Sequence, residues 1–154
     1  MGFERRRLWE GETLGLWEGE ILRFEEIIKK MAKISTHKDL RVYQLAFELS
    51  MKIYKVSKSF PVEEKYSLTD QVRRSSRSVC ANLAEAYRKR RYPKNFVSKL
   101  SDCEAEAAET QVWLDFALEC EYVDDEFYNE IYKQYDMVLG MLVKMIVEPE
   151  KWSI

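Results

Sequence analysis

The densest chemical feature of the 154-residue sequence is a cationic stretch near its middle. Between Gln71 and Lys94, eight basic residues stand against one acid, Glu85. Arg88, Lys89, Arg90 and Arg91 are consecutive, with Tyr92 and Lys94 directly after them. Arg73 and Arg77 precede this knot, one helical turn apart. The planar guanidinium donates two parallel hydrogen bonds and so matches the oxygens of a phosphate. On a helix, Arg73, Arg77, Arg88 and, if the helix lasts that far, Arg91 fall within about 60° of one another, away from the apolar row. A basic strip ending in an aromatic is how an RNA-facing surface looks. The candidate nucleic-acid-binding set is therefore Arg73, Arg77, Arg88, Lys89, Arg90, Arg91 and Lys94.

The next segment has the opposite character. From Ser101 to Glu130 there are eleven acidic residues and no Lys or Arg. The net charge of −2 thus conceals two oppositely charged blocks and says nothing against an anionic partner. The acids also offer a plainer role for the arginines. If Glu104, Glu109 or Asp115 pairs with Arg73, Arg74 and Arg77, these become a structural seam, and the 88–94 knot is left as the better anion site.

Other chemistries lack their parts. The sequence has one histidine, His37, whereas a di-iron bundle needs two Glu-x-x-His motifs. Bundle ribonucleases that place an Arg a few residues before a His on one helix have no counterpart, since the nearest arginine upstream of His37 is Arg23. No Gly-rich phosphate loop occurs, and no Ser or Cys nucleophile has a credible base. The reading is a non-enzymatic protein without a cofactor or metal. Cys80, Cys103 and Cys120 are an odd number without metal-ligand spacing. On one straight helix the last two would lie about 25 Å apart, so buried reduced thiols and a cytoplasmic setting are expected. No apolar run approaches the ~20 residues of a membrane span. Arg5, Arg6 and Arg7 are not followed by a signal-peptide apolar region.

The elements that must position these residues are helical. Five Gly and three Pro leave little material for the turns of a β fold. A first helix over about 39–59, capped by Asp39 or Thr36, carries Leu40, Tyr43, Phe47, Ile53 and Tyr54 at helical spacing and stops at Phe60-Pro61. A second, about 67–88, turns Leu68, Val72, Ser76, Val79, Leu83 and Ala86 inward. A third, about 94–121, repeats Phe96, Leu100, Cys103, Ala107, Thr110, Leu114 and Leu118 in steps of three or four. A fourth, about 125–147, presents Phe127, Ile131, Tyr135, Val138, Leu142 and Met145 before Pro149. Short connections between helices of this length require antiparallel neighbours, an all-α up-down-up-down four-helix bundle.

The bundle is assigned to 37–148, with an N-terminal extension over 1–36 and a tail over 149–154. In the extension, Leu8-Trp9-Glu10-Gly11-Glu12 recurs as Leu16-Trp17-Glu18-Gly19-Glu20, and 20–33 can form an amphipathic helix through Ile21, Phe24, Ile28 and Met31. The alternatives are a leader dispensable for folding, or translation starting at Met31. The third helix has a second apolar face: Val112, Trp113 and Phe116 point roughly opposite its core row. An exposed cluster of that kind marks a self-association interface, unless the extension covers it.

The stretch from Gln71 to Glu85, Gln-Val-Arg-Arg-Ser-Ser-Arg-Ser-Val-Cys-Ala-Asn-Leu-Ala-Glu, resembles the signature of the four-helix-bundle proteins found as reading frames in intervening sequences of bacterial 23S ribosomal RNA. Supporting matches are Lys38-Asp39-Leu40 with Tyr43, Phe60-Pro61 with Glu64 and Leu68, Glu109-Thr110-Gln111 with Trp113-Leu114, and Leu139-Gly140. The family usually has Gly where Ala86 stands. The resemblance covers about 37–146 and implies a four-helix bundle that forms a ring-like homopentamer. A branch similar in fold, the accessory variability determinant of diversity-generating retroelements, binds nucleic acid and a reverse transcriptase through a positive surface. The acidic later helices depart from that branch, so the reverse-transcriptase partner is not carried over. The resulting expectation is an oligomeric, pentameric scaffold that binds RNA through its second helix. The alternative is a protein–protein adaptor using the apolar and acidic faces of the third helix.

Overall fold

The computed structural model describes residues 19–23 and 34–152. The chain divides into two compact units, 1–35 and 36–154. In the first, 19–23 is helical. The Leu8–Glu12 copy of the repeat, most of its second copy, and Phe24, Ile28 and Met31 of the expected amphipathic helix lie outside the described residues.

The second unit is an antiparallel four-helix bundle of α1 (Arg41–Val56), α2 (Leu68–Arg88), α3 (Pro93–Glu119) and α4 (Asp125–Val147). Each helix packs on its sequence neighbours, and α1 closes the ring against α4. The pairing of α2 with α3 is the most extensive. Its register is read from side-chain bonds: Thr110 shares a 2.8 Å hydrogen bond with Ser75, while Lys99 reaches back to Asn82 at 3.2 Å and Glu85 at 3.0 Å. Ser75, Ser76, Cys103, Ala107 and Thr110 are all buried, and such small side chains let helix axes approach closely.

The inner rows of α2 and α4 follow the helical spacing, with Val72, Ser76, Val79 and Leu83 on one and Ile131, Tyr135, Val138 and Leu142 on the other. In α1 the expected row is out of phase. The buried residues are Val42, Ala46, Leu49, Ser50 and Ile53; Tyr43 and Tyr54 are half-buried and Phe47 is 52% exposed. Phe47 stacks on Tyr43 instead, with ring centroids 6.1 Å apart. Near the end of α3 the core position passes from Leu118, which is half-buried, to Ala117.

Caps and turns fix the ends. Thr36 and Asp39 form a capping box on a 3-10 turn, His37–Asp39, so neither caps α1 itself, which begins after Leu40 without a side-chain cap. Asp124 caps α4 by accepting from the Phe127 amide at 2.7 Å. The C-terminus of α3 closes with paired bonds, Tyr122 N–H to the Ala117 carbonyl and Glu121 N–H to the Leu118 carbonyl, each 2.8 Å. Glu121 takes the left-handed conformation (φ 57°) that this closure requires.

The connections at that end are joined across the bundle. Ser67 makes no capping bond; Glu64 supplies the function by accepting from the Leu68 amide at 3.2 Å, from the Ser67 hydroxyl, and from the Tyr122 hydroxyl at 3.1 Å. Tyr122 also packs on Phe60, and both lie against a small apolar cluster of Leu68, Ala117 and Val123.

Two outcomes test this arrangement. Leu49→Ala should lower the stability measured by urea unfolding by about 2–5 kcal/mol, and Phe47→Ala by no more than about 1.5 kcal/mol; comparable losses would restore the aromatic row to the core. The Glu64 carboxyl is held below its ordinary value chiefly by the Ser67 hydroxyl, then by the Leu68 amide and Tyr122. A lowered folded-state pKa contributes stability above the unfolded-state value, and that contribution is lost as pH falls through the lower folded value. Melting temperature should therefore fall less steeply in Glu64→Gln than in wild type between about pH 5 and pH 3, and parallel curves would remove Glu64 from this role.

Candidate nucleic-acid interface

The last turn of α1 presents Tyr54, and Lys58 follows one turn later in the 3-10 segment Ser57–Ser59. Across the α1–α2 contact lie Arg73 and Arg77. All three cations converge on the Tyr54 ring: Lys58 Nζ lies 4.8 Å from its centroid, Arg73 Cζ 5.1 Å and Arg77 Cζ 5.5 Å. Arg73 is oriented further by donating from Nε to Ser57 Oγ at 2.7 Å, and that hydroxyl donates to the Tyr54 carbonyl at 3.0 Å. A cation over an exposed aromatic ring gains about 0.5–1 kcal/mol, enough to hold a guanidinium in place without neutralising it. Among the described residues no carboxylate forms an ion pair with any of the three.

On the outer side of α2 the same arginines border a shallow groove of about 530 Å³. It runs from Lys65 and Tyr66 past Asp70 to Arg73, Arg74 and Arg77. Arg74 and Arg77 are exposed and Arg73 half-buried.

Further along α2, Arg77 and Arg88 are eleven residues apart, on the same helical face and about 16 Å distant along the axis. Arg88 is the last helical residue, so Arg91 lies in the turn beyond and does not extend the strip as a helical position. In this turn Arg90 is engaged: its guanidinium lies 3.7 Å from the Tyr87 ring centroid and its Nε donates to the Tyr87 carbonyl at 2.8 Å. Arg88, Lys89, Arg91, Tyr92 and Lys94 are exposed, and a smaller cleft of about 270 Å³ is bounded by Tyr87, Arg88, Arg90, Arg91 and Tyr92. The seven residues proposed from sequence thus separate into an α1–α2 group and a group at the α2–α3 turn.

Among the described residues no arginine of α2 forms an ion pair with Glu104, Glu109 or Asp115 of α3. The cation between α2 and α3 is Lys99, paired with Glu85 at 3.0 Å and Asp102 at 3.3 Å. Glu109 accepts from Trp113 Nε1 at 3.0 Å, and Asp115 accepts from the Tyr128 hydroxyl at 2.7 Å. Glu106 is pushed above its usual range, first by burial and then by neighbouring Glu109. Arg73 and Arg77 turn toward Tyr54 and Lys58, while Arg74 lies near enough to Glu106 of α3 to act on its charge; Lys65 and Tyr66 line the groove beside all three arginines. Tyr54, Lys58, Lys65 and Tyr66 were missed as site residues. The available signal was the repeated spacing of four, Tyr54 to Lys58 and Arg73 to Arg77.

The second face of α3 is partly covered. Val112 and Phe116 are 47% and 54% exposed, but Trp113 is half-buried against the Leu68–Ala117–Val123 cluster, with its ring 5.9 Å from Phe116.

Potential nucleophiles are placed otherwise. Burial pushes the thiols of Cys80 and Cys103 up, to about 11 and about 12, which keeps both protonated. Cys120, expected to be buried, is exposed at the end of α3. His37 lies edge-on to Tyr43, with ring centroids 4.8 Å apart. Among the described residues no three His, Cys, Asp or Glu side chains group as metal ligands do, and no helix is long and apolar enough to cross a membrane.

Comparison with known proteins bears on this geometry. None of the curated proteins matches the chain. Among solved structures, it is similar to a protein of unknown function from the S23 ribosomal protein family of Bacteroides thetaiotaomicron. The two share 28% identity with a TM-score of 0.63, over 69% of this chain and 95% of that one. The family model described as 23S rRNA-intervening sequence protein matches residues 38–144, which span α1 to most of α4 and include every residue of the basic surface. The chain belongs to the 23S rRNA-intervening sequence protein family.

Proposed function

We propose that this protein is a non-enzymatic, homo-oligomeric scaffold that binds RNA through the basic surface of α2. The observation that carries this reading is the convergence of Lys58, Arg73 and Arg77 on Tyr54 without a described carboxylate partner. Three like charges held close together repel, and a polyanion relieves that repulsion while releasing its own counterions. The exposed cations at 88–94 extend the same face, and the family's association with ribosomal RNA intervening sequences favours RNA among polyanions. The protonated, buried thiols and the ring-packed histidine favour binding over catalysis. Self-association is supported by the exposed Val112 and Phe116, the latter with its ring against Trp113. The same face supports the second reading, an adaptor that holds another protein without RNA.

Mobility-shift titrations with an RNA carrying an intervening-sequence hairpin should show affinity falling steeply with salt. Replacing Lys58, Arg73 and Arg77 by Ala should flatten the log–log slope by about 2–3, and replacing Arg88, Lys89, Arg91 and Lys94 should flatten it further. Absence of a shift at low salt would overturn RNA binding and leave the adaptor reading. Light scattering should give a mass several times 18.4 kDa, reduced to the monomer by Phe116→Asp. A wild-type protein that stays monomeric at high concentration would refute the assembly.

A further inference from the structure

The groove on α2 has two chemically different ends. At one end Arg73, Arg74 and Arg77 supply guanidinium groups. At the other stand Tyr66 and Asp70. Tyr66 is 84% exposed, the highest exposure among the large hydrophobic side chains described, and among the described residues its ring meets Lys65, whose Nζ lies 5.1 Å from the centroid. One face of the phenol is therefore covered by a cation and the other is open. Water is a poor setting for an unpartnered aromatic face, and every nucleobase offers a π surface to stack on it. Asp70 offsets the charge of Lys65 at this end, and its carboxylate can accept a hydrogen bond from a base amino or imino group.

We propose, resting on the RNA-binding reading, that the groove takes unpaired RNA: a base stacks on the open face of Tyr66, and the adjoining backbone phosphates lie on Arg73 and Arg77. Those two arginines are one helical turn apart, about 6 Å along the axis, so successive contacts along one strand are in reach. A duplex keeps its bases stacked inside, and A-form RNA shows protein mainly its backbone and shallow minor groove. It can meet the arginines but cannot place a base on Tyr66. The ligand is thus a loop, bulge or single strand within a folded RNA.

The test is fluorescence anisotropy of the full-length protein with a labelled 12-nucleotide single-stranded RNA and with a blunt duplex containing the same strand. Wild type, Tyr66→Ala, Tyr66→Phe and Arg73→Ala/Arg77→Ala are compared, with melting curves confirming that each variant folds. Tyr66→Ala should weaken single-strand binding about tenfold and leave duplex binding within about twofold, Tyr66→Phe should restore it, and the double arginine variant should weaken both ligands. If Tyr66→Ala alters neither ligand, or both equally, while the arginine variant still weakens both, stacking is overturned and RNA binding by α2 stands. If wild type binds neither ligand, the RNA-binding reading falls, and this one with it.

Discussion

Helices α2 and α3 meet through small and short side chains, with Ser75 against Thr110 at the buried centre of the contact. Everything outward on α2 depends on that. A helix that commits one side to a close neighbour must turn its long side chains elsewhere, and on α2 the long side chains are mostly arginines. Lys99 of α3, at the edge of the contact, takes up both Glu85 and Asp102. The arginines are then left facing α1, where an aromatic ring is available, and solvent. A basic surface follows from how α2 and α3 pack. A bulky residue in place of Ser75 or Ser76 would disturb that surface as well as the core, because overpacking moves a helix as a body.

The Tyr54 site has a particular energetic character. Cation–π attraction is short-ranged and modest, and it leaves the guanidinium charge intact. An ion pair would hold the same side chains but cancel the field. Orienting cations with a ring therefore preorganises them for an anion at little loss of potential. Arg90 is held on Tyr87 in the same way at the α2–α3 turn, with the carbonyl bond as a further restraint. Both basic groups thus combine one or two anchored arginines with exposed cations around them.

The helices were legible because α2 and α4 have one dominant apolar period, and the core row of α3 recurs in steps of three or four from Phe96 to Leu114 despite its second apolar face. The inner row of α2 and the limits of α4 are those that spacing dictates. The first helix carries two rows, Tyr43–Phe47–Tyr54 and Val42–Ala46–Leu49–Ile53, and size alone favours the aromatic one. The tight centre of a bundle selects for fit instead, so the compact row is buried and the aromatics become a half-exposed platform. Pairing of charges was beyond the sequence for a different reason. Which acid meets which cation depends on the register between helices, and composition carries no register. Lys65 and Tyr66 fall in the turn between the 3-10 segment Val62–Glu64 and α2, where no periodicity singles out a face.

Charge is also distributed unevenly around the bundle, and this bears on how a polyanion would approach. The acids between Asp102 and Glu130 sit on α3 and the start of α4, with Glu119, Glu121, Asp124 and Asp125 together around the turn that joins them. Arg73 and Arg77 of α2 and Lys58 just after α1, which form no ion pair among the described residues, sit together at Tyr54. At physiological ionic strength the screening length is about 8 Å, shorter than the width of the bundle, so each side presents its own sign to a nearby ligand. A phosphate chain that bound would be attracted by α2 and repelled by the acids of α3 and the start of α4, although the net charge is −2. In an oligomer built through α3, that acidic side would be turned toward neighbouring subunits and the α2 faces would remain available to RNA. The physical requirement is that α3 contacts occur through Val112 and Phe116 rather than through the carboxylates, since like charges brought together without counterions would oppose assembly.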